Sequence, residues 1–107
     1  MAILHISPEA REDLQDIKEY ISSELENPTA AQNVVSNIIK AMRSLEQFPD
    51  MGVPLSSVVD VPNDYRFLVS GNYLAFYRND KDSVYVIRVI YGKRDYMKIL
   101  FGELPKE

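Results

Sequence analysis

Two proline-led segments constrain this chain more than any other feature. Ser7-Pro8 and Asn27-Pro28 each place a cap-forming side chain before a proline. Such a side chain accepts an unpaired N–H of a first helical turn, and proline suits the first helical position because it has no N–H to leave unpaired. After the first pair, Ala10, Leu14, Ile17, Ile21 and Leu25 recur at steps of three or four and make one apolar stripe. Glu9, Glu12, Asp13 and Asp16 crowd the opening turns, at the positive end of the helix dipole. After the second pair, Ala31, Val34, Val35, Ile38, Met42 and Leu45 repeat the pattern to about Gln47. Almost no linker separates the two, so they must fold back as an antiparallel hairpin.

The hydrophobic period then changes. Phe48-Pro49-Asp50-Met51-Gly52 ends the second helix, and residues 52–64 read as a loop with apolar pieces able to dock on the body. Strands are expected at 65–69, 72–78 and 83–91, joined by short turns into an antiparallel meander. Ala2-Ile3-Leu4-His5-Ile6 forms a first strand, and Asp95 to Phe101 a last helical turn. The order is β-α-α-β-β-β, an α+β fold with a helical hairpin on an antiparallel sheet, in a single domain of residues 1–107. Leu14, Ile17, Ile21, Val34, Ile38 and Leu45 should be buried between hairpin and sheet. Strict alternation puts Val84, Val86 and Ile90 on one face of the last strand and Tyr85, Ile87, Val89 and Tyr91 on the other. Both faces are apolar, so one should stay open unless a partner covers it.

Composition narrows the chemistry. The chain has 107 residues, no Cys and one His, which excludes thiol chemistry, thiolate metal sites and clusters of imidazoles. His5 is expected to be structural. Glu12, Asp13 and Asp16 read as a solvated helix face rather than a metal site. No glycine-rich phosphate loop and no nucleophile elbow is present. No apolar run is long enough to span a bilayer, and the N-terminus lacks a secretory pattern, so a soluble cytoplasmic protein without cofactor or metal is expected. Net charge is −4, yet residues 65–107 hold eight basic and five acidic side chains. The remaining candidates are basic and phenolic. A metal-free ribonuclease needs a cation at the scissile phosphate and a proton donor or acceptor near the 2′-hydroxyl. Arg94 and Tyr96 could serve, with Arg66 as a second phosphate contact. The plainer alternative makes the tyrosines sheet packing with wet hydroxyls.

Several segments taken in order resemble one superfamily: Ile6-Ser7-Pro8-Glu9-Ala10 with Asp13-Leu14 and Ile17; Phe48-Pro49-Asp50-Met51-Gly52; Tyr65-Arg66 with Gly71-Asn72-Tyr73; Phe76-Tyr77-Arg78; and Arg88-Val89-Ile90-Tyr91-Gly92-Lys93-Arg94-Asp95. The chain resembles the RelE/ParE superfamily of type II toxin–antitoxin toxins over nearly its whole length. That resemblance implies the same fold, a cognate antitoxin as partner, and one of two activities. ParE-like members poison DNA gyrase. RelE-like members enter the ribosome and cut mRNA with basic side chains and a C-terminal Arg and Tyr. Their basic positions align with Arg66, Leu68, Leu74 and Arg94 here, so two of four cations are replaced by leucine, and Tyr96 lies nearer Arg94 than the RelE tyrosine does. The departures, the acidic total and the two long helices favour a ParE-like gyrase poison. The alternative is a metal-independent, ribosome-dependent mRNA endonuclease using Arg66, Arg94 and Tyr96. Arg94 is expected to matter more than Arg88, for which a structural role is simpler.

Overall fold

The computed structural model describes residues 1–102. Strand β1 (Ile3–Ile6) leads into helix α1 (Pro8–Ser23), then α2 (Pro28–Arg43). A 3-10 turn, Ser44–Glu46, finishes the second helix earlier than its apolar stripe implied. Short β2 (Val53–Pro54) follows, then β3 (Arg66–Ser70), β4 (Tyr73–Asp80), β5 (Ser83–Tyr91) and helix α3 (Tyr96–Phe101). Both proline-led caps are real: Ser7 Oγ accepts the Ala10 N–H and Asn27 Oδ1 accepts the Ala30 N–H, each at 3.0 Å.

The sheet order is β1-β5-β4-β3-β2. The expected meander β3-β4-β5 is antiparallel, while β1 joins its far side in parallel with β5. That parallel edge follows from the hairpin: two antiparallel helices return the chain to the side where it began, so β1 and β5 run the same way. The stretch 52–64, expected as loop, contributes β2 and a second 3-10 turn, Leu55–Ser57, and Leu55 is buried.

The main core lies between the hairpin and the sheet. Ile17, Ile21, Ile38 and Leu45 are buried there as expected; Leu14 and Val34 are only partly buried against the same cluster. Leu25 is exposed, because α1 ends two residues before it.

The strict alternation expected in β5 does not hold. Phe76 pairs with Arg88 but Tyr77 pairs with Val86, leaving Ile87 as an extra residue. Such a bulge shifts every later side chain to the opposite face. Val84, Val86 and Val89 therefore share the helix-side core. Ile90 instead joins Phe76 and Leu55 in a second cluster on the other face, with Tyr96, Ile99, Leu100 and Phe101 packed over it. Helix α3 thus covers much of the surface expected to stay open.

Candidate partner groove and the basic residues

The helical hairpin does not cover the end of the sheet where β4 begins and β5 stops. A cleft of about 640 Å³ remains there. Ile17, Tyr20 and Ile21 of α1 wall one side, and Tyr73, Val89 and Tyr91 of the sheet the other. The Tyr73 and Tyr91 rings pack 5.6 Å apart. Burial raises the Tyr73 phenol above its ordinary range, with the neighbouring Tyr91 and Tyr20 phenols adding to the effect, so it stays a neutral hydroxyl in an apolar wall. Asp13, Asp16 and Arg94 supply charge at the margins. Arg94 is aimed there by the bend after β5, where the Gly92 N–H donates to the Asn72 carbonyl at 2.8 Å and the Arg94 N–H to the Tyr91 carbonyl at 2.9 Å.

Asp13 has a second task. Arg88 grips it through Nε at 2.7 Å and Nη2 at 2.8 Å, and the Val89 N–H donates to it at 2.9 Å. Beyond Ser7, β1 no longer reaches β5, so this carboxylate takes a backbone donor that a neighbouring strand would otherwise fill. The same carboxylate raises the Arg88 pKa, and the pair is largely shielded from solvent. Asp13 is therefore not part of a purely solvated helix face. Its position four residues before Ile17 and eight before Ile21 carries that signal, since it shares their stripe. Arg88 has the structural role its strand suggested. Among the described residues no acidic or imidazole group is gathered for a metal.

The other end of the sheet is closed by the segment Pro49–Gly52. Arg66 Nη1 donates to the Asp50 carbonyl at 3.2 Å and the Gly52 carbonyl at 2.8 Å. Tyr77, fully buried, donates its hydroxyl proton to the Pro49 carbonyl and accepts the Gly52 N–H, both at 2.9 Å. Asn79 Nδ2 donates to the Pro49 carbonyl at 3.0 Å and the Asp50 carboxylate at 2.6 Å. A Cβ on Gly52 would lie 2.5 Å from the Tyr77 hydroxyl and 2.9 Å from the Phe67 carbonyl, so glycine is a steric requirement here. The segment is pinned, yet its Met51 and the preceding Phe48 point outward, 50% and 64% exposed.

The residues Arg66, Arg94 and Tyr96, grouped from the sequence as a nuclease set, do not converge. Arg66 opens β3 at the pinned end, while Arg94 follows β5 at the open end. The length of β3 alone separates those ends by about 13 Å. Arg94 lines the helix-side cleft, but Tyr96 packs its ring 5.4 Å from Phe76 in the cluster on the opposite face. Leu68 is buried in the main core and Leu74 is packed against the second cluster, so neither position offers a cation.

The chain is similar to known proteins in fold and in family. No curated protein sequence matches it. A solved structure described as the chromosomal ParDE TA system from P. aeruginosa superposes with a TM-score of 0.72, covering 85% of this chain and 96% of that one at 23% identity, a likeness of fold. A family model described as "ParE toxin of type II toxin-antitoxin system, parDE" matches residues 4–96. That span takes in most of β1, the hairpin, the pinned segment, the meander and Arg94, and on it the chain belongs to the ParE toxin family of type II toxin–antitoxin systems.

Proposed function

We propose that this chain arrests growth by poisoning DNA gyrase in the cytoplasm, and that a cognate antitoxin neutralises it. One observation carries the choice of target: the basic side chains that phosphate chemistry would need are not gathered. Arg66 is engaged with backbone carbonyls, positions 68 and 74 are leucines, and Arg94 and Tyr96 serve opposite faces. A transition-state cation acts only when it is held at the place where charge develops. One lone arginine beside an apolar cleft suits protein recognition better, for example a bidentate grip on a partner carboxylate. The cleft supports the antitoxin part of the reading. It lies between helices and sheet, is mostly apolar, and carries charge at its margins, as grooves that receive an amphipathic segment do. No helix of the described residues is long and apolar enough to cross a membrane.

The test is induction of the chain in cells, with and without Arg94→Ala. Gyrase-trapped DNA breaks without codon-dependent mRNA cleavage are the expected result, weakened by Arg94→Ala while the fold persists. Toeprints on translating ribosomes that show codon-dependent cleavage by the purified chain would overturn it. Arg66, Arg94 and Tyr96 would then be the residues to assay one at a time.

A further inference from the structure

Strand β1 ends the sheet and has one neighbour, β5. The Ile3 N–H donates to the Asp82 carbonyl and the Ser7 N–H to the Val86 carbonyl, so residues 3, 5 and 7 turn their backbone toward β5. Alternation leaves Leu4 and Ile6 turning theirs outward. The Ala2 N–H marks the start of that outer edge by donating to the Glu46 carbonyl at 2.8 Å. Arg11 marks its far end, with Nε 3.3 Å from the Ile6 carbonyl. Between them a cleft of about 580 Å³ runs beside the strand, floored by Leu4, Ile6, Leu14 and Ile39 and edged by Arg11, Arg43 and Glu46. None of these three charged groups forms an ion pair among the described residues. On the opposite face Ile3 is 59% exposed, and His5 stacks on Tyr85 with centroids 4.7 Å apart and planes 11° from parallel. The outer side of the imidazole is open.

We infer that the β1 edge is a self-association surface on which a second copy of this chain pairs antiparallel about a two-fold axis at His5. Three features favour a second copy. First, residues 4 and 6 are related to each other by that axis. The Leu4 N–H meets the Ile6 carbonyl of the second copy, the Ile6 N–H meets its Leu4 carbonyl, and symmetry repeats both bonds. Second, charge is placed unequally along the edge, with Glu46 and the neighbouring Arg43 at its start and Arg11 alone at its far end. Antiparallel pairing sets Arg11 of one copy beside Glu46 of the other, twice, while parallel pairing would set like beside like. Arg11 needs only to leave its long bond to Ile6 to do so. Third, His5 meets His5 of the second copy at the axis, extending the Tyr85–His5 stack across the junction. The Leu4 and Ile6 edge of each cleft is closed by the other copy. This surface lies across β5 from the Arg94 groove, so the inference stands whether or not the gyrase reading holds.

The experiment is sedimentation equilibrium of the full chain, joined to hydrogen exchange at Leu4 and Ile6 over a dilution series. A reversible dimer is expected, with protection of those two amides that fades on dilution. His5→Glu faces two carboxylates at the axis and should weaken association about tenfold. Arg11→Glu should weaken it about threefold at low salt, and adding Glu46→Arg to that variant should restore it. Because residues 11 and 46 are not core positions, the charge-swap pair remains informative even if His5→Glu disturbs β1. A chain that stays monomeric to high concentration overturns the inference, as does a dimer indifferent to all three variants. Protection of Leu4 and Ile6 seen only when the antitoxin is added would assign the edge to that partner instead and overturn it equally.

Discussion

The two ends of the sheet carry the same kinds of residue and use them in opposite ways. At the β2 end, an arginine, a tyrosine and an asparagine are all turned onto the backbone of Pro49–Gly52. At the β4–β5 end, an arginine and three tyrosines border a cleft of about 640 Å³. The lesson is that a cation is available for recognition only after its donors have been accounted for. Arg66 and Arg94 look equivalent in the sequence, yet the first stabilises a loop and the second faces open space.

The sharpest way to break this contrast is Gly52→Ala. The new methyl would press on the Tyr77 ring and the Phe67 carbonyl, and neither can yield without disturbing β3 and β4. We expect a loss of about 3 kcal/mol in urea unfolding, with exposure of the Phe48–Gly52 segment to proteolysis. Should Gly52→Ala unfold at the parent midpoint, the pinned end is not pinned.

Tyr77→Phe is next. It leaves the Gly52 N–H without a partner and the Pro49 carbonyl with Asn79 alone, and should cost about 2 kcal/mol. It also carries a pH signature. Burial raises the Tyr77 phenol above its ordinary value of 10.0, outweighing the Gly52 N–H and Arg66, which lower it. A phenol that ionises less readily when folded contributes in full below the unfolded titration near pH 10, and the contribution is lost as pH rises through the folded value. The parent should therefore lose stability steeply above about pH 10. Tyr77→Phe should flatten part of that fall, and Tyr73, also raised by burial, should account for more of it. Alkaline titrations followed by circular dichroism read the slopes directly.

Arginine substitutions sharpen the comparison further. Arg66→Ala should cost about 1 kcal/mol, through the two carbonyls it leaves. Arg94→Ala should change stability by less than about 0.5 kcal/mol but lower toxicity or antitoxin affinity at least tenfold. Thermal melts and growth assays on the same two proteins separate the roles. A reversal, with Arg94→Ala unstable and Arg66→Ala stable but harmless, would invert the assignment of the two ends. The smallest effect belongs to Asp64→Asn. The Arg78–Asp64 pair is short at 2.7 Å, and the arginine lowers the Asp64 pKa, but both side chains are more than half exposed. Its removal should shift stability by less than about 0.5 kcal/mol, and less still in high salt.

What could be read in advance follows the range of the interaction. Both helix starts were visible, because a cap and its proline act within three residues. The meander was visible because its turns are short. The pinned loop was not, because Tyr77 reaches Pro49 across 28 positions and no periodicity announces a hydroxyl's partner. Asp13 was half visible: its place on the buried stripe was there to be noticed, while its guanidinium partner lies 75 residues away. Arg66, Arg94 and Tyr96 were separated only by three-dimensional placement, since strand direction decides which end each occupies and the bulge in β5 precedes the turn that aims the last two.

That bulge has a consequence for how the sheet is kept in step. A strand of strict alternation that slides by two residues keeps its inward and outward sets, so alternation alone does not exclude such a slip. β5 has a further constraint. Its halves are out of phase, and any shift that suits Val84 and Val86 misplaces either Val89 or Ile90. Ser7, which caps α1, also donates its hydroxyl to the Ile87 carbonyl at 2.6 Å and so ties this odd residue to the start of the first helix. Of its neighbours, β4 runs past the bulge and changes phase there, while β1 pairs only with Ser83–Val86 before it. Removing Ile87 would make the strand more regular and the protein less so, because a sheet aligned for one core would then be misaligned for the other.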